Sequence, residues 1–211
     1  MDRRKKIILL VLSSLAIGFG LLSVVVLLFP NSILDTEFSE EVQEHHNPVL
    51  DRLMEWISFP GYSPYSIILV VLTSLIFFLF KYRKEALYIL LTLHSGIVSF
   101  LLKILINRPR PTETAVRIVE KAKHQSFPSG HVLFYVVFFG FLVLLMRHLK
   151  TLPLFIRWPV SLISLILIFT VPLSRVYLGA HWFTDVTAGF FLGLICLYFL
   201  AHFYLRRQGE K

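Results

Sequence analysis

The sequence predicts an all-α integral membrane bundle of six transmembrane helices, with an amphipathic helix added in the first outer loop. Three observations carry that expectation. The 211 residues are 56% hydrophobic and 16% charged, with a mean hydropathy of +0.72, whereas a soluble domain has roughly 45–50% apolar and about 25% charged residues. Apolar runs long enough to cross a bilayer recur along the chain. Those runs are continuous rather than alternating, which selects helices over a barrel. No internal repeat, low-complexity tract or linker interrupts them, so residues 1–211 are expected to form one transmembrane domain.

The first run, Ile7 to Phe29, follows the basic cluster Arg3 to Lys6. It exceeds the roughly 7–15 residues of a signal-peptide core and has no small-x-small cleavage site before Pro30, so it reads as a retained span. Residues 31–61 form an acidic loop, in which Arg52 stands against Asp35, Glu37, Glu40, Glu41, Glu44, Asp51 and Glu55. Inside it, Asn47-Pro48 is a helix start, with Asn as cap and Pro at the first position. Val49, Leu50, Leu53, Met54 and Ile57 follow at helical spacing with Trp56 nearby. The spacing predicts an amphipathic helix that lies in the outer interface or folds back over the spans. Further spans are expected at about 64–80, 86–106, 131–146, 157–172 and 183–205. The single Cys196 lies in an apolar run, which excludes an intrachain disulfide and a Cys-based metal site.

Six spans place both termini on one side. That side carries thirteen Lys and Arg, from Arg3 to Arg207 and Lys211, against eight on the other, which puts the termini in the cytoplasm. The net charge of +8 is then a flank effect, and no nucleic acid is expected. Seven of the eight outer cations fall between Lys103 and Lys123 or at Arg175. Basic residues concentrated where topology disfavours them call for an anionic ligand.

Three segments carry those cations. In the first, Lys103 sits near the outer end of the third span, as a functional residue or as one that snorkels to the interface. Arg108-Pro109-Arg110-Pro111 then leaves the helix on a stiff extended backbone, holding guanidinium forks that suit phosphate. The second is Pro128-Ser129-Gly130-His131. A helix beginning there offers the backbone N–H groups of Ser129 and Gly130 to an anion, and His131 sits on the first turn. The third runs from Ser174 to Asp185. Arg175 and His181 lie between the last two spans, and His181 and Asp185 share a helical face, where a carboxylate fixes the imidazole tautomer. Six-span parity opens all three segments on the same face of the bundle.

Together these residues resemble the type 2 phosphatidic acid phosphatase superfamily, whose signature is K-x6-R-P, P-S-G-H and S-R-x5-H-x3-D. It reads here as Lys103 with Arg110-Pro111, then Pro128 to His131, then Ser174-Arg175 with His181 and Asp185. The motifs cover about 83 residues, 103 to 185, in the expected order. The resemblance implies a membrane lipid phosphate phosphatase. In it His181 attacks phosphorus to form a phosphohistidine, Asp185 orients His181, and His131 protonates the leaving oxygen and then activates water. Lys103, Arg110, Ser129, Gly130 and Arg175 bind the phosphoryl oxygens.

His131, His181 and Asp185 could instead ligate a hydrolytic metal. Three nearby cations oppose that, so no metal and no cofactor is expected. The soluble vanadium-dependent haloperoxidases are similar at the same residues, so vanadate is expected to inhibit. The implied partners are membrane lipids and a lipid phosphate in the outer leaflet of a bacterial plasma membrane: undecaprenyl diphosphate, phosphatidylglycerol phosphate or phosphatidic acid. A transporter or a non-catalytic lipid-binding protein could use the same basic cluster. A transporter requires a polar path to the cytoplasmic face, and the inner halves of the spans show little of one. A dead scaffold conflicts with the intact His and Asp residues. His124 reads as a solvated loop residue, and Arg108, Arg117, Lys121 and Lys123 as solvated or head-group-attracting. Tyr177 and Trp182 read as aromatic-belt residues.

Overall fold

The computed structural model describes residues 2–206, so Arg207 and Lys211, counted above on the inner side, lie outside it. Among the described residues every regular element is a helix, and there is no strand. In chain order the helices are α1 (Arg3–Leu28), α2 (Ile33–Gln43), α3 (Pro48–Ser58), α4 (Tyr65–Leu79), α5 (Arg83–Leu91), α6 (His94–Ile106), α7 (Gly130–His148), α8 (Leu154–Tyr177) and α9 (Phe183–Arg206), with one 3-10 turn at Phe59–Gly61. Helix α1, the α5–α6 pair (Arg83–Ile106), α7, α8 and α9 are each long and apolar enough to cross a membrane. Pro48–Gly61 and Tyr65–Leu79 pass the same test only as a pair, bent by 58°, which makes them either a broken sixth span or a re-entrant segment. The span expected at 64–80 is thus a helix of 15 residues, short of the roughly 20 that a bilayer core requires.

The start of α3 follows its sequence signature. Pro48 occupies the first turn, and the Asn47 side chain accepts from the N–H groups of Val49 (3.0 Å) and Leu50 (2.9 Å). One face folds back on α8, where Ser58 Oγ meets Ser174 Oγ at 2.8 Å and Ser174 Oγ donates to the Met54 carbonyl at 2.6 Å. The opposite face leaves Val49, Leu53 and Trp56 exposed, so of the two placements its spacing allowed, α3 shows the one that folds back over the spans. Helix α2 was not expected. Its inward face is polar, with Asp35, Ser39 and Gln43 buried at four-residue intervals.

Helix α7 is the axis of the bundle. Twelve of its nineteen residues are buried, and it packs on α8, α9 and α6. Between apolar helices in lipid, close packing substitutes for the hydrophobic effect, and small residues permit the approach. Gly193 of α9 lies against Val136, where a Cβ would fall 2.7 Å from the valine Cβ. One turn earlier, Gly189 lies against the backbone at the start of α7, and a Cβ there would sit 2.7 Å from the Ser129 carbonyl oxygen. Exposed leucines and isoleucines cover the outward faces of α1, α4, α6 and α8, as a multi-pass membrane protein requires.

Candidate active site

Every site residue expected from the sequence lies at one end of the bundle. Lys103 is in the last turn of α6, Ser129 caps α7, and Gly130 and His131 open its first turn. Arg175 lies in the last turn of α8, His181 in the α8–α9 connection, and Asp185 in the first turn of α9. Arg110 follows α6 in the Pro-flanked segment. The start of α7 is tied to α9 by the Ser129 N–H, which donates to the Asp185 carbonyl at 3.0 Å and so, contrary to the sequence reading, is not offered to an anion; the Ser129 hydroxyl remains without a partner among the described residues.

His181 is buried with its two nitrogens in different surroundings. Nδ1 faces Asp185 Oδ2 at 3.5 Å and Ser126 Oγ at 3.4 Å. Nε2 faces Arg110 at 3.4 Å. A guanidinium only donates, so its partner nitrogen is the unprotonated one and the proton resides on Nδ1. Burial holds the His181 pKa well below the ordinary imidazole value, reinforced by the charges of Arg110, Lys103 and Arg175. The ring is therefore a neutral base with an available lone pair on Nε2.

Carbonyl groups hold two of the cations. Lys103 Nζ donates to the carbonyls of Gln125 (2.5 Å) and Ser126 (3.2 Å). Arg110 donates to those of His124 (2.7 Å), Lys123 (2.8 Å) and Ala180. Burial, then the charge of Arg175, depresses the Arg110 pKa to about 10, which leaves it cationic at neutral pH. Residues 123–126, with Ala180, thus supply the carbonyls that aim these two cations. Arg175 is 1% exposed and forks onto Glu120 at 2.7 and 3.0 Å, with Tyr62 Oη at 3.1 Å and a further Tyr62–Glu120 hydrogen bond.

Three buried side-chain polar atoms lack a partner among the described residues: Ser129 Oγ, His131 Nε2 and Arg175 Nε. Unsatisfied buried polar groups are costly and uncommon. All three belong to residues expected to face phosphate. A cleft of about 570 Å³ between α4 and α6 is lined at one end by His131, the one of these three residues that borders it. Lys103, Gly130 and His131 line its polar end, and Ile67, Ile97 and Phe100 its apolar flank. No three His, Cys, Asp or Glu side chains among the described residues are grouped to hold a metal ion.

Several residues are placed differently from their sequence reading. Arg108 is not solvated: it is 2% exposed and bridges Asp185 and Asp35. Trp182 and Tyr177 are buried rather than belt residues. Trp182 lies beside Arg108, whose guanidinium carbon is 5.8 Å from the indole centroid, and Tyr177 donates to Asp51 at 2.7 Å. Arg117 grips Asp51 at 2.9 and 2.6 Å. Lys121 pairs with Glu113 in solvent, and His124 is exposed, both as expected for a loop. The sequence reading missed Ser126, Glu120, Tyr62, Thr184 and Asp35. Asp35 was hidden among seven acidic residues of one loop, and no spacing marked it as inward-facing.

A helical membrane protein that gathers two imidazoles, a carboxylate and three cations at one end of its bundle, with Lys103 and His131 bordering a cleft, defines a class, the membrane-embedded phosphatases. The chain belongs to the PAP2 superfamily, whose family model matches residues 84–208 and so includes every site residue expected from the sequence, from Lys103 to Asp185. Phosphatidylglycerophosphatase B of Bacillus subtilis (strain 168) is 35% identical over 158 residues, 72% of this chain and 74% of that protein. Undecaprenyl-diphosphatase BcrC of the same organism is 30% identical over 157 residues, 72% of this chain and 73% of that protein. The crystal structure of a transmembrane PAP2-type phosphatidylglycerolphosphate phosphatase from Bacillus subtilis superposes with a TM-score of 0.79 at 26% identity, over 92% of this chain and 96% of that one.

Proposed function

We propose that this phosphatase removes a terminal phosphate from a membrane lipid, with phosphatidylglycerol phosphate, undecaprenyl diphosphate and phosphatidic acid as candidate substrates. The observation that carries the reading is the set of orphaned atoms, Ser129 Oγ, His131 Nε2 and Arg175 Nε, in the field of Lys103, Arg110 and Arg175. A phosphoryl group offers acceptor oxygens to donors that otherwise have none, and the cleft leaves the lipid tail in the bilayer. The names of the Bacillus relatives support the substrate class.

Phosphoryl transfer is chiefly positioning and charge stabilisation. His181 Nε2 attacks phosphorus in line, forming the N–P bond as the P–O bond to the lipid breaks. His131 gives its proton to the departing oxygen, and the arriving phosphate supplies the negative charge that keeps His131 protonated among so many cations. His131 then takes a proton from water, which attacks the phosphohistidine and releases inorganic phosphate and a free His181. Asp185 holds Nδ1–H throughout. Lys103, Arg110, Arg175, Ser129 and Gly130 bind the equatorial oxygens. The reaction proceeds without metal, because three cations already neutralise the phosphate. The termini are cytoplasmic and the site extracytoplasmic, by the distribution of Lys and Arg.

The deciding experiment measures phosphate release from a panel of lipid phosphates in detergent, with His181→Ala beside wild type and chelator in a parallel series. Wild type is expected to turn over with or without chelator, to be inhibited by vanadate, and to form an alkali-stable phosphoenzyme that His181→Ala does not. Equal turnover by the variant would remove His181 as nucleophile, and loss of activity with chelator would reinstate a metal.

A further inference from the structure

We infer that Arg108 and Asp35 are positioning residues for the His181–Asp185 pair, an assignment that rests on the phosphatase reading above. Both lie outside the signature positions. The Arg108 and Asp35 side chains are 0% and 1% exposed, and Asp185 is 0% exposed. A buried cluster of two carboxylates around one guanidinium is held only where its hydrogen bonds are complete.

They are complete here. Arg108 Nε and NH2 donate to the Pro30 carbonyl at 3.1 and 2.9 Å. NH2 also donates to Asp35 Oδ2 at 2.7 Å, and NH1 to Thr184 Oγ1 at 2.7 Å and Asp185 Oδ1 at 2.6 Å. Asp35 Oδ1 accepts from the Thr184 N–H at 2.8 Å, and Oδ2 from Thr184 Oγ1 at 2.9 Å. The first carboxylate of α2 thus caps the first turn of α9 from another element, and Arg108 ties that cap to the carboxylate behind the nucleophile.

The consequence for Asp185 is geometric. One oxygen is committed to Arg108. The other accepts from Ser126 Oγ and from the Trp182 N–H at 2.9 Å, and it faces His181. With Oδ1 fixed, the carboxylate cannot rotate, and Oδ2 stays directed at His181 Nδ1. The consequence for charge is as direct. Arg108 balances Asp185 and restrains it from drawing a proton onto the imidazole, where the other charged or titratable neighbours are Arg110, Lys103, Arg175 and His131.

The test uses the full-length protein in detergent, dioctanoyl phosphatidic acid as probe, and the variants Arg108→Gln, Arg108→Lys, Asp35→Asn and Arg108→Gln/Asp35→Asn. Arg108→Gln is expected to lower kcat about 100-fold with KM within about threefold, since misplacing a reacting group by about 1 Å has that effect. The acid limb of its kcat/KM profile should rise by about one pH unit, because an unbalanced Asp185 favours the protonated imidazole. Arg108→Lys should rescue only partly, as one ammonium cannot fork between two carboxylates. Should Arg108→Gln fail to fold, the double variant leaves Asp185 as the only carboxylate of the cluster and gives the same readouts. Wild-type kcat and an unmoved acid limb per folded molecule, in either variant, would overturn the inference alone. A wild-type enzyme that releases no phosphate from any lipid phosphate would overturn the phosphatase reading instead.

Discussion

In the phosphate site proposed for this chain, Glu120 competes with the substrate without taking part in the reaction. It occupies both terminal nitrogens of Arg175, and a phosphate that reaches this guanidinium must share or displace it. Burial pushes the Glu120 pKa up, but the hydrogen bonds and charge of Arg175, the Tyr62 hydrogen bond and the charge of Arg110 together outweigh it and hold the carboxyl below its ordinary value, so it is anionic at neutral pH. Glu120→Gln should therefore lower the KM for lipid phosphate and the inhibition constant for vanadate about three- to tenfold, in line with loss of one charge-assisted competitor. Unchanged constants would show that phosphate and Glu120 do not compete. At His181 the sign is also defined. Its pKa is depressed by burial and by Arg110, Lys103 and Arg175, so the neutral imidazole persists as pH falls past the usual imidazole range of about 6.5. The acid limb of kcat/KM is expected below that range; a limb at or above it would contradict the buried, cation-flanked ring.

The helices differ in how legible they were, and the difference is physical. Helix α3 announced itself through Asn47, Pro48 and an apolar stripe, and it forms with that cap. Asn47→Ala should lower stability by about 1 kcal/mol, read as a fall in the thermal midpoint of detergent-solubilised protein; an unchanged midpoint would mean that docking on α8 alone sustains the helix. Helix α2 could not be read the same way. Its buried stripe is Asp35, Ser39 and Gln43, and a search for apolar periodicity passes over a helix whose inward face is polar. Gln43 binds the Arg117 and Tyr177 carbonyls at 2.8 Å each and accepts from the Arg117 N–H at 3.0 Å. These partners are remote in sequence, so no local pattern marks them. The span at 64–80 was expected whole because its composition is apolar; its shortness follows from the bend after Gly61.

For the whole molecule, the cleft between α4 and α6, which joins exposed apolar residues to Lys103, Gly130 and His131, is the path proposed for the lipid. Gly96 lines it, and a Cβ there would meet no atom within 4 Å, so the position accepts a larger side chain that narrows the passage. Gly96→Leu should reduce kcat/KM for a long-chain lipid phosphate about tenfold more than for a short soluble phosphate ester, since only the former has a tail to place. Equal effects on both would put the tail elsewhere. The sequence alone determined the membrane class, the helical architecture and the family. Span hydropathy and the Lys103, Arg110, Pro128 to His131, Arg175, His181 and Asp185 spacings are local or follow from helix parity. Only the tertiary structure decided what stands behind and around those residues. Arg108 with Asp35, Glu120 with Arg175, and the 123–126 backbone around Lys103 and Arg110 are partnerships between distant segments. A charged residue in a loop carries no local mark of whether water or another buried charge will neutralise it.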